Sequence, residues 1–166
     1  MAADVSSTPA YVYAVLDYNL RRLLCDLCQL SLNRQGNLVN LESIHHVVII
    51  CADYQRSKIF YTEILGLEII AENYRPERDS YKLDLALPDG GQIELFSFPH
   101  SPVRSSAPEA RGLRHLAFLV ACLQSSIKEL QSLNVSVEAI RVDEFTGKKF
   151  TYFQDPDGSP LGLYEK

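Results

Sequence analysis

The chain has 166 residues, enough for one domain or for two small modules that share a core. Hydrophobic residues make up 46% and charged residues 22%, an ordinary balance for a globular protein, and the net charge is −5. That acidity, with no basic stripe, argues against a nucleic-acid binder, and no apolar run approaches the roughly 20 residues that a membrane span needs.

Residues 1–40 differ from the rest. A helix is expected over residues 12–30, with Tyr13, Leu16, Leu20, Leu23 and Leu24 along one stripe, and residues 31–37 read as a linker. Arg21-Arg22 interrupt the apolar stretch and no basic region precedes it, so a signal peptide is not expected. Cys25 and Cys28 have CxxC spacing, but no second pair exists and no strand precedes them, so chance is the better reading. With Cys51 and Cys122 they make four scattered cysteines, which suits a cytoplasmic protein with reduced thiols. Met1 is the only methionine, and we expect translation to begin at Val39 through a GTG codon, leaving residues 1–40 as a helical extension or a misassigned start.

Residues 43–51 read as a strand that is apolar on both faces and hence buried on both sides. Asp53 is placed to cap a helix carrying Ile59, Phe60, Ile64 and Leu65, which Gly66 ends. Residues 67–71 are expected as a strand. Residues 81–87 and 92–98 form a hairpin around Pro88-Asp89-Gly90-Gly91. This β-α-β-β-β order occupies residues 41–99. After a proline- and serine-rich linker over 100–112, it recurs in 113–166. There a strand over 113–121 precedes a helix with Leu123, Ile127, Leu130 and Leu133 on one face. Strands over 135–142, 149–154 and 159–164 follow, the last two joined by Asp155-Pro156-Asp157-Gly158.

The repeat is visible in the residues that are costly to bury. His46 and His115 open equivalent apolar runs, and nearly the same distance further on stand Glu94 and Gly162. A lone histidine in an apolar strand is more often a satisfied core residue than a ligand. Two at repeat-equivalent positions, with Glu94 between Ile93 and Leu95, favour a metal site over a plain polar network. Strand alternation turns His45 to the opposite face, toward a structural place against the helix.

The pattern His46…Asp53…Phe60-Tyr61…Leu65-Gly66…Glu94, followed by His115…Asp155-Pro156-Asp157-Gly158, resembles the vicinal oxygen chelate superfamily. That group includes glyoxalase I, fosfomycin-resistance thiol transferases, extradiol dioxygenases and bleomycin-resistance proteins. Tyr74-Arg75-Pro76-Glu77-Arg78-Asp79-Ser80, Phe96-Ser97-Phe98-Pro99 and Arg141-Val142-Asp143 are similar to its YaeR-like, glyoxalase-related branch. The resemblance implies an α+β fold of two βαβββ modules whose mixed sheets curl into a cup around a divalent metal (Zn, Ni, Mn or Fe). It puts the ligand positions at His46, Glu94, His115 and Gly162.

Gly162 has no side chain to ligate with, and in glyoxalase I the carboxylate at that position is the expected base. Glu165 has the wrong parity to replace it, and Tyr164 is a poor ligand near pH 7. Three ligands are therefore expected: His46, Glu94 and His115.

The function implied is a lyase or isomerase acting on a small oxygenated substrate such as a glutathione hemithioacetal, impaired by Gly162. The alternatives are a sequestering protein without turnover and a three-ligand dioxygenase. Arg75, Arg78, Arg114, Arg141 and Lys149 are the candidate contacts to an anionic substrate, with Lys82, Asp84 and Asp143 among the same rim charges. Because each module alone leaves an unpaired edge and an apolar face, the modules should pair, and a homodimer is expected.

Overall fold

The computed structural model describes residues 41–105, 108–109 and 111–166. The expected helix over 12–30, the Cys25 and Cys28 pair and the expected start at Val39 lie outside the described residues. The first module consists of β1 (His46–Cys51), α1 (Tyr54–Ile59), β2 (Glu68–Arg75), β3 (Ser80–Ala86) and β4 (Gln92–Ser97). The second consists of β5 (Leu116–Val120), α2 (Leu123–Ser132), β6 (Arg141–Val142), β7 (Lys149–Gln154) and β8 (Pro160–Glu165). They build two four-stranded mixed sheets, ordered β1-β4-β3-β2 and β5-β8-β7-β6. The α+β fold and the β-α-β-β-β order follow the sequence reading.

Local chemistry explains the first helix. The Asp53 carboxylate accepts from the Arg56 N–H at 3.0 Å, satisfying a donor of the first turn. The helix continues as a π-helical turn over Phe60–Ile64, and Gly66 follows at φ 70°, a conformation that favours glycine. In the second module Leu123, Ile127 and Leu130 are buried as their spacing predicts, and Asn134 ends the helix at φ 61°.

Each sheet hides one face beneath its helix. Leu83, Leu85, Ile93 and Leu95 are fully buried on β3 and β4, and Tyr54 of α1 stacks on Tyr81 with centroids 4.3 Å apart. Phe153, Leu161 and Leu163 do the same beneath α2. Full burial of such a side chain is worth about 1.5–3 kcal/mol, so this core dominates stability. The modules join at the Asp155-Pro156-Asp157-Gly158 turn. The buried Tyr61 hydroxyl donates to Asp155 at 3.1 Å, and Asp157 accepts from the Ala52 N–H at 2.9 Å.

Three expectations need correction. The first strand is not buried on both sides: Val48 is 48% and Ile50 is 53% exposed, because β1 is an edge strand whose face opposite α1 is uncovered. The second strand runs to Arg75, four residues beyond its expected end, with a register shift between Ile69 and Ala71. The strand expected over 135–142 shrinks to Arg141–Val142. Its earlier part makes only an isolated bridge, Val137 to Phe153, and irregular bonds between Glu138 and β7.

Candidate functional site

The strand register arranges the open face of the first sheet in rows. Val48, Glu94 and Asp84 lie side by side, and the next row holds Ile50, Phe96 and Lys82. His46 is one row before Val48. Its Nδ1 stands 3.9 Å from Glu94 Oε1, so the two residues singled out in this module share a face and a neighbourhood. The Glu94 side chain is only 12% exposed, and Lys82 supplies the compensating charge at 3.2 Å. Lys82 also binds Asp84 at 2.6 Å, and that hydrogen bond holds its pKa above the usual lysine value despite partial desolvation. A cation arriving at Glu94 therefore competes with an ammonium that has Asp84 as its other partner.

His45 does not pack against a helix. It precedes the first paired residue of β1, so strand alternation does not govern it, and its Nδ1 lies 2.9 Å from His46 Nδ1. One of the two nitrogens must be the donor, so this contact couples the tautomers of both rings.

The second sheet repeats the register with different chemistry. Ala117, Gly162 and Tyr152 lie side by side where the first sheet has Val48, Glu94 and Asp84. His115 stands two residues before Ala117, as His46 does before Val48, and its ring meets Tyr152 edge-on at 5.0 Å. It borders a polar cavity of about 260 Å³ with Arg114, Arg141 and Tyr152. Tyr152 leans over Gly162: a Cβ there would stand 3.3 Å from Tyr152 Cε1 and 3.1 Å from Ala117 Cβ.

The expected ligands are thus brought together only in part. His46 and Glu94 are neighbours, whereas His115 and position 162 belong to the other sheet. Among the described residues no three His, Cys, Asp or Glu side chains are grouped closely enough to hold a metal ion. Among the described residues His46 and Glu94 form a pair of possible donors, fewer than the three or four protein ligands usual at a metal centre.

The candidate substrate contacts divide in the same way. Arg75 lies at the end of β2, its Cζ 4.7 Å from the Phe96 ring centroid. Arg114 pairs with Glu109, and Arg141 pairs with Glu138 while lying 5.5 Å over Tyr152. Arg78 and Lys149 are exposed. The Lys82 and Asp84 contacts to the half-site went unassigned in the sequence, although the hairpin between Leu87 and Gly91 puts Asp84 opposite Glu94.

Among the described residues no helix is long and apolar enough to cross a membrane. The uncharacterized protein YwkD of Bacillus subtilis is 56% identical over 126 residues, covering 76% of this chain and 98% of its own. YaeR of Escherichia coli is 54% identical over 129 residues, covering 78% and 100%. The crystal structure of a glyoxalase family protein from Enterococcus faecalis is 49% identical, covers 75% of this chain and 98% of that one, and superposes with a TM-score of 0.72. The profile of one family matches residues 43–163, most of both modules. The chain belongs to the Glyoxalase/Bleomycin resistance protein/Dioxygenase superfamily.

Proposed function

We propose that the protein is a divalent-metal-binding member of this family whose site is assembled by two copies of the chain. His46 and Glu94 would come from one copy and His115 from the other. The observation that carries this reading is where the two half-sites lie. His46 opens β1 and His115 immediately precedes β5, and each of these strands is the edge of its sheet. Val48, Ile50 and Leu119 remain exposed along those edges, an apolar surface that suits association with a second copy. If β1 of one copy lies beside β5 of the other, the half-sites face each other.

The donors suit Zn, Ni, Mn or Fe, since two imidazoles and one carboxylate leave positions open for substrate oxygens. A cation held there would supply Lewis-acid stabilisation of negative charge developing on substrate. Reaction at such a site calls for lyase or isomerase chemistry on a small oxygenated molecule, of which a glutathione hemithioacetal is one example. Gly162 specifically favours a second reading, in which the substrate is bound but turned over slowly or not at all. Proton transfer needs a base, and position 162 contributes none.

Metal content of mixed dimers tests the shared site. His46→Ala, Glu94→Ala and His115→Ala should each reduce bound metal, whereas His45→Ala, which removes only a ring neighbour, should leave the stoichiometry intact. When His46→Ala and His115→Ala chains are unfolded together and refolded, a shared site predicts mixed dimers with one intact centre out of two. A site within one chain predicts none. Recovery of no metal in separated mixed dimers would refute assembly across copies.

A further inference from the structure

Lys82 is neutralised by Asp84 and Glu94, but Arg75, further along the same open face, has no carboxylate partner among the described residues. Its guanidinium lies over two phenylalanines, with Cζ 4.7 Å from the Phe96 centroid and 5.5 Å from that of Phe98. These rings are themselves stacked, 5.8 Å apart and within 4° of parallel. Nη2 donates to Ser80 Oγ at 2.7 Å, while Nε is buried without a partner. A half-buried guanidinium with five donors, one of them used in this way, remains short of acceptors. The aromatic shelf and Ser80 hold the planar fork in place, which lowers the cost of pairing it with a planar or tetrahedral anion.

Phe96 links this shelf to the half-site: it lies one row beyond Glu94 on β4, and its ring centroid is 5.9 Å from Lys82 Nζ and 4.7 Å from Arg75 Cζ. We infer that Arg75, seated on Phe96 and Phe98, is an anion subsite for the substrate. That substrate then carries a carboxylate or similar anionic group apart from its chelating oxygens. The inference rests on the reading of His46 and Glu94 as metal ligands, and it narrows the substrate class of that site.

Two probes of equal carbon skeleton test this by calorimetry on Zn²⁺-loaded protein. The first is 2-hydroxyglutarate, which chelates at one end and carries a carboxylate at the other. The second is 2-hydroxypentanoate, which chelates in the same way and ends in a methyl group. The protein should bind 2-hydroxyglutarate about tenfold more tightly or better, the weight of a hydrogen bond to a charged group. Arg75→Met, which keeps an apolar stem on the shelf, should remove that advantage and leave 2-hydroxypentanoate unchanged. Arg75→Lys should retain part of it, a pattern that a folding defect would not give.

Equal affinities in the unaltered protein overturn the subsite alone, as they would if a carboxylate of a second copy already saturated Arg75. An advantage that survives Arg75→Met also overturns it. Binding of neither probe overturns the metal reading and the subsite with it.

Discussion

Gly162→Glu asks whether the second sheet has lost a functional group that its geometry would otherwise hold. Gly162 lies between Ala117 and Tyr152 as Glu94 lies between Val48 and Asp84. In the first sheet this register brings the carboxylate within 3.9 Å of His46, so a glutamate at 162 should reach His115 in the same way. The cost is local crowding. The new Cβ would stand 3.1 Å from Ala117 Cβ and 3.3 Å from Tyr152 Cε1, so both Ala117 on β5 and Tyr152 must give by a few tenths of an ångström. Overpacking of this kind costs about 1–3 kcal/mol, and loss of glycine's backbone entropy penalty returns roughly 0.5–1 kcal/mol. The residual cost is small beside a stability of about 5–15 kcal/mol, and the variant should fold.

The chemical gain is larger. A positioned general base contributes about 10²–10⁴ in rate. Gly162→Ala makes the same Cβ contacts without the carboxylate and separates packing from chemistry. Metal affinity, by competition with a chelator, and turnover of the methylglyoxal–glutathione hemithioacetal are compared across the three proteins at equal metal loading. Gly162→Glu should bind metal more tightly and turn over faster than both others. If the glutamate and alanine variants fold equally and match in both quantities, position 162 does not reach the metal and the reasoning fails.

Two further outcomes test the fold that supports the site. Tyr61→Phe strips a buried hydroxyl from Asp155 at the junction of the modules and should destabilise the protein by about 1–3 kcal/mol in denaturant titration, without changing metal stoichiometry. Cys51 is 1% exposed, and burial foremost pushes its thiol up to about 11, so at pH 8 only about one in a thousand is ionised. Peptide mapping after brief alkylation should find exposed Cys122 labelled and Cys51 protected until the protein unfolds.

The sequence carried the element order because its signals are local. Asp53 caps the first helix, Gly66 ends it, and the Pro88-Asp89-Gly90-Gly91 turn fixes the β3–β4 hairpin. It misplaced boundaries where polar residues obscured the period. Glu72-Asn73-Tyr74-Arg75 lie beyond the expected end of the strand at residue 71, yet these residues continue β2 because an edge strand tolerates polar side chains on its exposed face. The repeat singled out His46 and Glu94 as a candidate pair, and the structure puts them 3.9 Å apart on one face. The separation of His115 from them was not legible in the sequence. Val48 and Ile50 read as buried in sequence because apolar periodicity does not reveal that β1 is an edge strand.

His46 opens one apolar edge strand and His115 immediately precedes the other, and this ties assembly to metal binding under the proposed function. Among the described residues a single chain brings two possible donors together and leaves Val48, Ile50 and Leu119 exposed along its two edges. Association would bury those side chains and bring in the third donor together. Thermodynamic linkage then works in both directions: metal tightens the dimer by the same factor by which dimerisation tightens metal. The lack of a fourth side-chain ligand at Gly162 lowers that factor in both directions, but it leaves the apolar contribution to association in place. The apolar edges do not depend on position 162, so under the proposed function two chains without a base there would still assemble a binding site. This is why the sequestering reading follows from the same geometry as the enzymatic one, with Gly162 deciding between them.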